Sequence, residues 1–100
     1  MLVMSYFMIE IELPKRITPE FLELIPHQRK FIDRMMKKGI IISYSLSFDR
    51  SKLWVVVLAN SLTETKNFIG SFPIFCFIQF KINNLLFHEA NNHVPQFWLN

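Results

Sequence analysis

Residues 70–80 read G-S-F-P-I-F-C-F-I-Q-F, and this run decides the fold because a strand here would complete a set of four. Between Ser71 and Gln79 no side chain is more polar than a thiol. A half-exposed strand alternates apolar with polar residues, so an unbroken apolar run implies cover on both faces. Gly70 and Pro73 are chain breakers, and the spacing predicts a turn leading into a last strand that ends near Leu86. Polarity returns at Gln79, Lys81 and Asn83, where a dry interface gives way to a cavity or to solvent.

Upstream, residues 6–13 alternate, with Phe7, Ile9, Ile11 and Leu13 on one face and Tyr6, Met8, Glu10 and Glu12 on the other. This predicts a strand ended by Pro14. Thr18 before Pro19 predicts a helix start, and Gly39 after Lys37 and Lys38 a helix stop. Pro26 lies inside that span, where its missing N–H predicts a kink or restart. Residues 40–48 alternate again, setting Ile40, Ile42, Tyr44, Leu46 and Phe48 against Ile41, Ser43, Ser45 and Ser47. The polar D-R-S-K at Asp49 turns the chain into a valine-rich arm at 53–59, and a short helix starts at Asn60 or Ser61 and stops at Gly70. The order β-α-β-β-α-β is that of the ferredoxin-like α+β fold, a four-stranded antiparallel sheet with helices on one face. An apolar face left bare predicts a partner. Two sheets stacked about 10 Å apart would give a dimeric α/β barrel.

One hundred residues make one domain, expected over residues 1–90, with residues 91–100 as a tail. Hydrophobic residues are 51% of the chain and charged ones 19%, more apolar surface than one small core uses and far from a disordered composition. The first residues, M-L-V-M-S-Y-F-M-I-E-I-E-L, lack a basic start and reach Glu10 early, which predicts neither signal peptide nor membrane anchor. Cys76 is the single cysteine, so an internal disulfide is excluded; it is expected to be a buried small hydrophobe, and the reading suits a reducing cytoplasm. The net charge of +3 comes with a cluster at Arg29, Lys30, Arg34, Lys37 and Lys38, read as a solvated helix face. An RNA-recognition module shares the element order, but the third strand, L-W-V-V-V-L-A, lacks the stacked aromatics and glycine of that class, so no nucleic acid is expected. His27, His88 and His93 have no metal-ligand spacing, and no metal is expected.

The run S-F-P-I-F-x-F at residues 71–77, followed by Leu85 and His88, resembles the carboxy-terminal signature of the muconolactone delta-isomerase family. The resemblance extends without a gap from Gly39 to His88, and Leu13-Pro14 also falls into place. It implies a dimeric barrel, a homo-oligomer often built into larger rings, whose tail contacts a neighbouring subunit through Val94, Phe97 and Trp98. It also implies cofactor-free proton transfer across a small unsaturated lactone. Such a step needs a base for a carbon-bound proton and a donor for the dienolate. Glu10 falls on an acidic position of the family, and His88 matches. The family's helix carboxylate falls on Gln28, a neutral amide, its polar first-strand positions on Tyr6 and Met8, and other acidic positions on Leu58, Gln79 and Lys81.

The candidate site therefore comprises Glu10 as base, Tyr6 or His88 as donor, and Gln28, Ser43 and Ser45 as ligand-binding groups. Each has a plainer reading. Glu10 and Glu12, about 7 Å apart on one strand face, either raise one another's pKa or divide between an ion pair with Lys81 and solvent. Gln28 binds a ligand or satisfies a core hydrogen bond. The serines line a cavity or an exposed edge, and His88 lines the cavity mouth or pins the tail. Two functions follow: a small-molecule isomerase, or a non-catalytic ligand-binding or structural barrel.

Overall fold

Thr18 is extended, and its hydroxyl accepts the Phe21 N–H at 3.2 Å, with Pro19 next at the first helical position. These caps start helix α1 (Pro19–Lys37). At the other end Gly39 takes φ +77°, which glycine adopts without strain. That turn lets the Ile40 N–H reach Met35 O and the Gly39 N–H reach Met36 O, both at 3.0 Å, satisfying carbonyls the helix leaves open. The restart that Pro26 would allow does not occur: α1 runs through it as one helix. The bond Pro26 cannot make is to the carbonyl of Leu22, and both residues are exposed, so the missing donor is not a loss inside the core.

The computed structural model describes residues 4–91. Around α1 it sets β1 (Ser5–Glu12), β2 (Ile41–Leu46), β3 (Lys52–Ala59), α2 (Leu62–Ile69) and β4 (Gln79–Leu85). The strands form one antiparallel sheet in the order β2-β3-β1-β4, the ferredoxin-like arrangement. Phe7, Ile9 and Ile11 of β1, Leu53, Val55 and Val57 of β3, and Phe21, Phe31, Ile32 and Met35 of α1 join in one buried cluster. Both helices cover that face. Ser61 starts α2 by accepting the Glu64 N–H at 3.1 Å, and the buried Thr65 hydroxyl donates back to Ser61 O. The β2–β3 turn is tied by Asp49, whose Oδ1 accepts from the Ser51 hydroxyl and N–H and from the Ser47 hydroxyl. Those bonds, led by the Ser51 hydroxyl, lower the Asp49 pKa to about 2.

Two expectations about the strands need correction. The alternation predicted for β2 fails at its start, because the register shifts between Ile41, opposite Val57, and Ser43, opposite Val56. This β-bulge places Ile41 in the core, not on the serine face. The apolar run at 70–80 is not a strand until Gln79. Residues 71–78 are turns with a 3-10 helix at Phe75–Phe77. Phe72 and Ile74 are buried, and Phe72 sits edge-on to Phe31 and Phe68 at 5.5 and 5.6 Å, while Phe77 meets Phe21 at 5.6 Å. Each such aromatic pair contributes about 0.5 to 1.5 kcal/mol beyond its burial. The run is therefore a strap across the helix-side core, and its apolarity comes from Phe72, Ile74 and Phe77 rather than from two covered strand faces.

Cys76 is exposed on that strap, contrary to the expectation of burial. The 3-10 turn directs Phe77 inward and leaves Cys76 and Phe75 outside. The tail residues Val94, Phe97 and Trp98, and His93, lie outside the described residues. The folded protein should react fully with a disulfide reagent at the rate of an open thiol, and Cys76→Ser should leave the melting temperature within about 2 °C. A thiol protected until denaturant is added would contradict the exposed strap.

Candidate functional site

Alternation along β1 sends Ile9 and Ile11 into the core and Tyr6, Met8, Glu10 and Glu12 to the opposite, open face of the sheet. The register builds rows across that face. One row runs Ser45, Trp54, Glu10, Lys81, and the next Ser43, Val56, Met8, Asn83. Tyr6 lies between Leu58 and Leu85 in a third row. The open face thus grades from charged at the Glu12 end to apolar and aromatic at the Tyr6 end.

Glu10 is engaged on both sides. Its Oε1 accepts the Trp54 indole N–H at 3.1 Å, and its Oε2 lies 3.2 Å from Lys81 Nζ and 3.9 Å from Lys52 Nζ. The indole hydrogen bond, then the Lys81 ammonium, hold its pKa below the ordinary glutamate value. Glu12 is exposed at the strand end. Of the two readings of this acidic pair, the geometry is that of an ion-paired Glu10 and an exposed Glu12.

His88 follows β4, and its ring meets Tyr6 with centroids 5.9 Å apart and tilted by 52°. Its Nε2 is buried without a hydrogen-bond partner. Tyr6 and Glu10 are four residues apart on one strand, about 13 Å, with Met8 between them. Ser43 is half-buried beside Val56, and Ser45 is exposed beside Trp54. The structure therefore brings Tyr6, Glu10, Ser43, Ser45 and His88 to one face.

Gln28 lies on the other. It is buried on α1 among the core, and its Oε1 accepts the Ile74 N–H of the strap at 3.3 Å. Its Nε2 is buried and unpaired. The sheet itself separates Gln28 from Glu10 and the serines, so a single cavity does not join them. Two shallow hollows lie elsewhere, one of about 350 Å³ beside Leu58, Glu64 and Phe68, the other along Lys30, Arg34 and Lys37. Among the described residues no group of His, Cys, Asp and Glu is placed to hold a metal ion, and no helix is long and apolar enough to cross a membrane.

Sequence reasoning missed Trp54 as the main partner of Glu10. The signal was present: once β3 lies beside β1, the polar-face alternation puts residue 54 opposite residue 10. No protein-family model matches the chain, and no curated protein matches it at a significant level.

The Glu10 contacts carry a sign. A carboxylate with a lowered folded pKa contributes stability that is present above its unfolded value, near 4.5, and lost as pH falls through the folded one. In a Trp98→Phe background the Trp54 indole N–H resonance should shift with a midpoint below 4.5, and Glu10→Gln should abolish that transition. A midpoint at or above 4.5 would contradict the pairing. For Gln28, truncation to alanine leaves the Ile74 N–H unpaired and a void, costing about 2 to 4 kcal/mol in urea denaturation. Gln28→Met keeps the volume and removes the unpaired Nε2 but leaves the Ile74 N–H unpaired as alanine does, so it should cost about 1 to 3 kcal/mol and less than the alanine variant.

Proposed function

We propose that the chain is the subunit of a non-catalytic homodimeric barrel, similar in architecture to the muconolactone delta-isomerase family, whose interior binds a small unsaturated or aromatic molecule. Two copies stack their open sheet faces about 10 Å apart, and Tyr6, Met8, Trp54 and Val56 of each form the apolar interior. A flat apolar molecule with one carbonyl fits that lining, with the Ser43 and Ser45 hydroxyls as its polar anchors.

The observation that carries this reading is the state of Glu10. A base for a carbon-bound proton must have a free lone pair and a pKa near the working pH. Glu10 gives its oxygens to Trp54 and Lys81, and both contacts lower its basicity. Tyr6, with His88 against it, is four residues along the strand from Glu10, a backbone separation of about 13 Å, so neither is a row neighbour of Glu10. The residue at the family's helix carboxylate, Gln28, is engaged with the strap on the far side of the sheet.

A second reading, cofactor-free lactone isomerisation, is favoured by one observation only: Tyr6 and His88, the two donor candidates, stand together on the open face. One experiment separates the two. With Trp98→Phe protein, an unsaturated γ-lactone should quench Trp54 fluorescence saturably, while proton NMR in deuterium oxide shows its ring hydrogens exchanging no faster than in buffer. Protein-accelerated exchange that disappears in Glu10→Gln would establish the isomerase instead. Absence of any saturable quenching would remove the ligand from the proposal.

A further inference from the structure

Among the described residues the outer edge of β2 pairs with no other strand. The Ser47 N–H bonds to Lys52 O at 2.8 Å, which fixes the alternation of the antiparallel pair. Ser45, like Ser47, turns its main chain toward β3, and Tyr44 and Leu46 turn their N–H and C=O groups outward. Their side chains stand opposite Val55 and Leu53, on the helix face, yet remain 37% and 52% exposed. Between Ile41 and Leu46 there is no charge and no proline. Apart from the bulge at its start, this strand lacks the devices by which proteins block strand addition. The opposite edge strand, β4, carries Lys81.

Stacking of the open faces leaves Tyr44 and Leu46 uncovered, because they belong to the other side of the sheet. Beside them runs one line of α1. Leu22, Arg29, Asp33 and Met36 recur at intervals of seven, four and three, which keeps them on one stripe of a helix. Arg29 and Asp33 both act electrostatically on the Tyr44 phenol, so this stripe borders β2. Leu22 and Met36 are exposed. Among the described residues the ion pairs involve only Glu10 with Lys52 and Lys81, so Arg29 and Asp33 are both without an ionic partner.

We propose that β2 pairs antiparallel with β2 of a second copy, joining two sheets into one of eight strands. The edge is self-complementary. A two-fold axis beside Ser45 turns Arg29 of each copy toward Asp33 of the other and pairs the outward main-chain groups of Tyr44 with those of Leu46 in the other copy. Opposite charges four residues apart on one stripe meet across such an axis, whereas a foreign strand would have to supply both signs in the right order. This contact is additional to the face-to-face one and does not depend on it. Together the two would assemble 12.0 kDa chains into a dimer of dimers.

Light scattering on four proteins tests it: the unaltered chain, Met8→Lys on the open face, Leu46→Lys on the edge, and the double variant. The unaltered chain should be a tetramer, each single variant a dimer and the double variant a monomer. An unchanged mass in Leu46→Lys would overturn the edge pairing and leave the open-face reading standing. A direct fall to monomer in Leu46→Lys, with Met8→Lys unchanged, would keep the edge and remove the open-face dimer, and a monomeric unaltered chain would remove both. Should Leu46→Lys lose its circular dichroism signal, the exposed pair serves instead. Arg29→Asp alone should halve the mass of the Met8→Lys dimer, and adding Asp33→Arg should restore it; failure to restore would overturn the two-fold arrangement.

Discussion

β1 is hydrogen-bonded along both edges, to β3 from Ser5 to Glu12 and to β4 from Tyr6 to Glu12, and this double pairing sets the position of nearly everything else. A strand held on both sides cannot slip without breaking two ladders. A slip of one residue would also exchange Ile9 and Ile11 for Glu10 and Glu12 in the core, at the cost of burying carboxylates without partners. The alternation of β1 is thus both the reason the helices pack where they do and the reason the charged row lies on the open face.

The chemistry of that face follows from the same register. Trp54 and Lys81 stand on either side of Glu10 because they are its cross-strand neighbours, so a row that aligns an acid with an indole donor and an ammonium makes a fixed anion. Such a group organises a surface and resists protonation, which is the opposite of what proton abstraction from carbon requires. Two rows away the apolar residues and the Tyr6–His88 contact give a different environment on the same face. The gradient between them lies along the strands.

Much of the fold was legible because local signals agreed with one another. The alternation in β1, the Thr18-Pro19 start, the Gly39 stop and the Asp49 turn each carry their own mechanism, and each lies within a residue or two of its expected place. What was not legible depends on contacts distant in sequence. The strap at 71–78 is apolar like a buried strand, and only its packing on Phe21, Phe31 and Gln28 distinguishes the two. Pro26 reads as a restart until its missing bond is found on the exposed side of the helix. For the site, the shared face of Tyr6, Glu10, Ser43 and Ser45 was within reach of alternation alone. The separation of Gln28 from them was not, since helix periodicity says which residues turn inward but not which side of the sheet receives them.

The bulge at Ile41 and Ser43 has a consequence for how this strand can vary. An extra residue absorbed there uncouples the chain leaving α1 from the residues shown farther along β2. Ile41 stays anchored beneath the sheet while Ser43 to Leu46 keep their own parity, so the second half of the strand can change composition without disturbing the helix exit. The extra residue also tightens the local twist, which gives the outer edge a curvature that only a similarly coiled strand can follow.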